Sequence, residues 1–190
     1  MDTMKSLKTK ITSLLLLLPI ILLNAQGELK SVDGYSPKIG LMVYMLEDLK
    51  DRITEQVKDL DQSQIDFMYD TNANSIGALI MHLVSTESYY QTMTLEGREW
   101  TKDELKRFGI AGELNEEVKN ILKGKPITYY LDLWDEVREK TLKLLKTKDD
   151  DWFVSNIEEG LNYHYVWYHV MEHSANHMGQ IATVKNRLPK

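Results

Sequence analysis

Apolar residues along this chain recur chiefly at three- and four-residue intervals, the spacing of helices that bury one face. Ile39, Met42, Val43, Leu46, Leu49, Ile53 and Val57 follow it. Ser36-Pro37 ahead of them suits a helix start, with serine as cap and proline at the first helical position. A first helix is therefore predicted over residues 36–60. The polar loop DQSQIDFMYDTNAN then leads to a more apolar second helix, capped by Asn74 or Ser75 and running to about residue 94. Gly97, Gly109, Gly112 and Gly124 interrupt residues 96–126, which read as a long connection with one or two short helices, the clearer over 114–122. A third helix over 128–145 turns Leu131, Trp134, Val137, Thr141, Leu144 and Leu145 inward. The run LKTKDDDW ends it. Asp149 to Asp151 read as a solvated turn, because the alternating ligands and turn glycine of a calcium loop are missing. A last helix spans 162–187 and stops before Pro189. No run reads as a strand and no internal repeat is present. Four long helices, the second and third joined by a long crossover, predict an all-α four-helix bundle.

Residues 1–25 break the amphipathic pattern. Lys5, Lys8 and Lys10 form a basic start, residues 11–23 an apolar run, and Ala25 a small residue for cleavage. The run is short for a bilayer span, which needs about 17–25 residues. The expectation is a signal peptide over 1–25, a leader over 26–35 and the bundle over 36–190, with the mature chain exported to the periplasm or the medium. No stable membrane partner is expected after cleavage. Leu23, large for its position before the cleavage site, leaves an uncleaved membrane anchor as the alternative.

With 190 residues the chain holds one domain with length enough for a core. Its formal net charge is −6, and −8 once residues 1–25, with three lysines against one aspartate, are set aside. Phosphate-backbone binding rests on clustered Lys and Arg, so nucleic acid is excluded as a partner. There is no cysteine. A disulfide framework, a lipid-bearing cysteine and a thiolate nucleophile are excluded with it, and any metal must be held by His, Asp or Glu.

The candidate chemistry lies in YHYVWYHVMEHSANHMGQ, residues 163–180, which carries four of the five histidines. His169, His173 and His177 recur every fourth residue and share a helix face. His173 and His177 have the spacing that lets two rings reach one ion. The fifth histidine, His82, lies in NSIGALIMHLVSTESYY, and a ligand from a separate helix completes the kind of centre that bundles build in their cores. Thr86 and Tyr89 share the face of His82 and are candidate pocket residues. His169 reads either as a further ligand or as a group at the rim, and Gln180, three beyond His177, as an orienting partner for its ring. For His82 alone, a hydrogen-bonded core histidine is the competing reading. His164 lies off the stripe. No general base is evident: Glu172 points about 100° away from His173, and Glu87, five beyond His82, is little better placed.

These two segments together resemble the DinB-like, or DinB/YfiT-like, family. HVMEHSANHMGQI is similar to its closing motif, approximately H-x-x-E-H-x-x-H-H-x-G-Q-I, and NSIGALIMHLVSTESYY to its Gly-x-Leu-x-x-His helix. The resemblance covers about residues 35–188. It implies an up-down-down-up bundle, with His82, His173 and His177 as metal ligands. Two positions depart from the family pattern: Asn176 where a second adjacent histidine often stands, and Met178 where arginine often does.

Three neutral imidazoles leave a divalent ion its full charge and at least one open position, so such a centre can activate water, thiol or alcohol. Zinc is favoured; nickel, iron, cobalt, manganese and copper accept the same ligands. Relatives that work with low-molecular-weight thiols point to a transferase, and hydrolysis is the other chemistry such a centre supports. The leading expectation is an exported metal-dependent hydrolase or transferase on a small-molecule substrate. The alternatives are a non-catalytic bundle stapled by its ion through a closed four-ligand centre using His169, and a metal-free helical interaction domain. A homodimer through helix faces is a further expectation from the resemblance.

Overall fold

A computed structural model describes residues 28–114 and 121–189. The expected signal peptide, and all but the ends of the short helix expected over 114–122, lie outside the described residues.

The first long helix, α1 (Pro37–Val57), buries all seven residues of its predicted stripe. Proline opens it as expected, but the Ser36 side chain makes no cap bond. The free N–H groups of Lys38 and Ile39 donate instead to the carboxylate of Asp150, at 3.0 and 3.4 Å. A tertiary carboxylate thus does the work usually given to the local cap. The following loop contains a single helical turn, α2 (Gln62–Ile65), held by a reciprocal capping box between Asp61 and Gln64.

Ser75 caps α3 (Ile76–Tyr90), accepting from the Ala78 amide at 3.2 Å. This helix is buried on nearly every side. It continues to residue 96, close to the predicted end, but as a widened π-helical turn, Gln91–Glu96, that stops at Gly97 with φ of 66°. The crossover contributes α4 (Lys102–Phe108) and a 3-10 turn, Gly109–Ala111. Then come α5 (Ile127–Leu145) and the short α6 (Asp150–Val154). The latter corrects the reading of Asp149 to Asp151 as a solvated turn: Asp149 caps α6 through the Trp152 amide at 2.8 Å, while Asp150 caps α1. A small antiparallel hairpin, β1 (Asn156–Glu158) and β2 (Leu161–Asn162), pairs Asn156 with Asn162 and Glu158 with Leu161. No strand was expected here, because two or three residues carry no readable alternation. Asn162 then caps α7 (Tyr163–Lys185) by accepting from the Tyr165 amide at 2.8 Å.

Side-chain contacts fix the helix directions. Lys185, at the end of α7, donates to the Gln56 carbonyl at the end of α1, so these two run parallel. On α3, His82 meets His173 and Tyr90 meets His169, so α3 opposes α7. Gly77 faces Tyr130, and Glu87 faces Arg138, so α3 and α5 run the same way. The order is up-down-down-up, as the crossover between α3 and α5 requires, since the chain must travel back along the bundle before α5 begins.

Two features place α3. A Cβ on Gly77 would lie 2.8 Å from the buried Tyr130 ring, so glycine is what lets α3 and α5 close there. Tyr130 in turn donates to the Leu122 carbonyl. One turn beyond His82, the Glu87 carboxylate lies 1% exposed and accepts from Arg138 Nε and Nη2, at 2.7 and 2.8 Å, and from Trp134 Nε1 at 3.0 Å. Arg138, also buried, spends its remaining Nη1 group on the Leu46 carbonyl and Glu47. Burial by itself would raise the Glu87 carboxyl; the Arg138 charge and the donated hydrogen bonds overcome it and hold the group below its ordinary value. Glu87 is thus a structural anion between α1, α3 and α5. It is no base for the histidine site.

Candidate metal centre

α3 and α7 bring His82, His173 and His177 together, with one ring nitrogen from each lying within 4.8 Å of the others. The contacts are Nε2 to Nε2, 3.1 Å from His82 to His173 and 2.9 Å from His177 to His173. Hydrogen bonds at the far side of two rings set their tautomers. His82 Nδ1 lies 2.7 Å from the carbonyl oxygen of Ala111, which only accepts, so Nδ1 carries the proton and Nε2 the lone pair. His177 Nδ1 likewise donates to Gln180 Oε1 at 3.0 Å. The expected partnership of Gln180 with His177 is present. The Ala111 carbonyl, a backbone group in the middle of the crossover, had no signal in the sequence.

Two lone pairs therefore aim at His173 Nε2. His173 Nδ1 is buried and meets no hydrogen-bond partner among the described residues. A proton on His173 Nε2 would satisfy one of these lone pairs, whereas a cation among the three Nε2 atoms would satisfy all of them at once. Nitrogens bound at about 2.0–2.1 Å to one ion are about 2.9–3.4 Å apart for ligand angles of 90–109°. The two separations to His173 fit, and the whole group of three lies within 4.8 Å. Burial, and then the neighbouring His177, His82 and His169, push the His173 imidazole down to about 3, and burial with His82 also lowers His177. Both rings stay neutral near pH 7, as metal ligation demands.

His177 is 6% exposed and closes the back of the cluster, while His82 and His173 face a cavity of about 320 Å³. The pocket candidates Thr86 and Tyr89 line this cavity, as does His169. His169 stacks on His173, with ring centroids 5.5 Å apart and planes 15° apart, and stands outside the converging group of three. Sequence reasoning missed Tyr90 and Trp100 in the wall: Tyr90 ends α3 one position beyond Tyr89 and off the His82 face, and Trp100 lies in a glycine-broken connection that announces nothing about where it folds back. His164 is exposed and packs on Phe153, and Glu172 is exposed, both as expected. A larger cleft of about 510 Å³, with Tyr69, Asn74, Asn176 and Thr183 in its wall, meets the cluster only through Gln180.

The sequence profile described as Mycothiol-S-transferase matches residues 41–189, most of the chain. The chain belongs to this family. It is a DinB/YfiT-like family, so the resemblance drawn from the two histidine segments holds. Mycothiol-S-transferase membership accounts for both motif-bearing helices, since the matched range contains all of α3 and α7. Comparison with curated proteins gives no match. Among solved structures, a conserved protein from Enterococcus faecalis superposes with a TM-score of 0.62 at 14% identity, over 77% of this chain and 94% of that one. At that identity the likeness speaks for the bundle alone.

Proposed function

We propose that this protein is an exported metal-dependent transferase that moves a group to or from a small thiol, with His82, His173 and His177 holding a divalent ion, zinc in the first instance. The observation that carries the reading is the convergence of three Nε2 atoms whose tautomers are set from behind by Ala111 and Gln180. When bound, the ion supplies Lewis acidity that favours the deprotonated form of a coordinated thiol or water. The chain's own contributions are positional. The Ala111 carbonyl and Gln180 hold two rings in the ligating tautomer, His177 closes the interior side, and the pocket leaves room for a substrate beside His82 and His173.

Transfer is favoured over hydrolysis because hydrolysis calls for a proton acceptor next to the water. Among the described residues, no Asp or Glu lines the pocket. A thiol is acidic enough that the bound ion would favour its thiolate without a neighbouring carboxylate. The family name points the same way. The group of three also supports an open coordination position over a closed four-ligand staple, since His169 stands apart.

The test is elemental analysis of the untagged mature chain after incubation with zinc. About one ion per chain is expected, falling to background in His82→Ala and His177→Ala with helix content unchanged by circular dichroism. No retained ion after exposure to zinc or nickel would end the proposal. Export is tested separately, by fractionating cells and sequencing the amino terminus; an intact chain beginning at Met1 in the cytoplasm would remove that part.

A further inference from the structure

The cavity beside His82 and His173 has an unusual wall. Its large side chains are aromatic, Tyr89, Tyr90 and Trp100; Ser85, Thr86, Gly112 and the histidines complete it, with no Leu, Ile, Val or Met among the described residues. These rings are not loose. Tyr89 meets Trp100 edge-on with centroids 5.5 Å apart and planes at 79°, Tyr89 meets Tyr90 at 5.3 Å, and Tyr90 meets His169 at 5.8 Å and 87°. Trp100 Nε1 donates to Ser88 Oγ at 3.2 Å, which fixes the indole plane. The ladder runs without a break from Trp100 to His169 and, by stacking, to His173.

The wall also lacks fixed charge. Among the described residues, no Lys, Arg, Asp or Glu lines it. Arg98, close by in sequence to Trp100, is occupied by Glu104 and Glu96 at 2.6 and 2.7 Å. A charged group other than one bound to the ion would lose hydration in this cavity and meet no oppositely charged Lys, Arg, Asp or Glu among the described residues. Its size is at the low end of the about 300–1,000 Å³ of ligand pockets, room for one or two rings.

From this wall, and resting on the metal-centre reading, we infer that the substrate received beside His82 and His173 is an uncharged planar aromatic compound, held between Trp100 and Tyr90 with its single ligating atom toward the histidines. Edge-to-face and offset contacts with an ordered aromatic wall favour a flat ring over an aliphatic body of equal size. Trp100, Tyr89 and Tyr90 are the residues that set this preference.

The test is calorimetric binding to the zinc-loaded protein, with four thiols as probes: phenylmethanethiol, cyclohexylmethanethiol, 3-mercaptopropionate and 2-mercaptoethanol. Phenylmethanethiol is expected to bind about tenfold more tightly than 2-mercaptoethanol, and more tightly than cyclohexylmethanethiol, from two ring contacts. Trp100→Leu and the more exposed Tyr89→Ala should each shrink that margin, while Trp100→Phe keeps most of it. Equal binding of the aromatic and cyclohexyl thiols, or tighter binding of 3-mercaptopropionate, overturns the inference and leaves the metal centre standing. Failure of all four thiols to bind protein that has retained its zinc removes the thiol-transfer reading and the inference together, while failure to retain zinc removes the metal centre itself.

Discussion

Replacing Glu87 by leucine tests whether this carboxylate belongs to the core or to the chemistry. The substitution removes three hydrogen bonds, two from Arg138 and one from Trp134, and leaves a guanidinium that is 3% exposed with only the Leu46 carbonyl and Glu47. Breaking a buried pair from one side costs about 3–5 kcal/mol, because the remaining charge stays desolvated. At about 2–4 °C per kcal/mol for a chain of this size, Tm should fall by about 6–20 °C. The double variant Glu87→Leu/Arg138→Met removes both charges and should recover most of the loss, since apolar replacements of buried pairs are often neutral. The assays are thermal and urea unfolding of the four proteins of the cycle, with zinc stoichiometry measured on each. Glu87→Leu should keep its zinc. A loss of zinc binding without a loss of stability would refute the assignment of Glu87 to the core and return it to the site.

Three further outcomes are expected. Gln180→Leu releases the His177 ring from its hydrogen bond at 3.0 Å, and zinc affinity by competition with a chelating dye should drop about 10- to 100-fold with Tm of the metal-free protein nearly unchanged. Gly77→Ala sets a Cβ 2.8 Å from Tyr130 and should cost about 1–3 kcal/mol in urea unfolding; a neutral result would mean that α3 and α5 are not locked there. The Arg98 hydrogen bonds hold the Glu104 carboxyl at about 2, against an ordinary 4.5. Because the folded value is the lower one, this contribution is present above pH 4.5 and is lost as pH falls toward 2. The Tm difference between wild type and Glu104→Gln should therefore narrow across that window, and a constant difference would show that the ion pair does not carry it.

Much of this molecule was legible in its sequence because the signals are local. The stripe from Ile39 to Val57 repeats with the helical period, and all seven of its members are buried. His173 and His177 are one helical turn apart wherever that helix goes, and the Gly-x-Leu-x-x-His segment marks its partner. Short-range periodicity thus determined the four long helices, the fold class and the pairing of His173 with His177, while His82 was marked as their partner by the family resemblance. Other features depend on residues distant in the chain, which no local pattern encodes. The Asp150 cap on α1 spans 112 residues, and the Arg138 contact that turns Glu87 from a candidate base into a core anion spans 51. The Ala111 carbonyl that sets the His82 tautomer is a backbone atom, identical in every residue type, so only the path of the crossover could deliver it. The same path folds Trp100 onto Tyr89 and so gives the pocket its aromatic wall. The residues that can hold an ion were written in the spacing of the helices; the tautomers, the anion beneath the site and the shape of its pocket arose only when the helices packed.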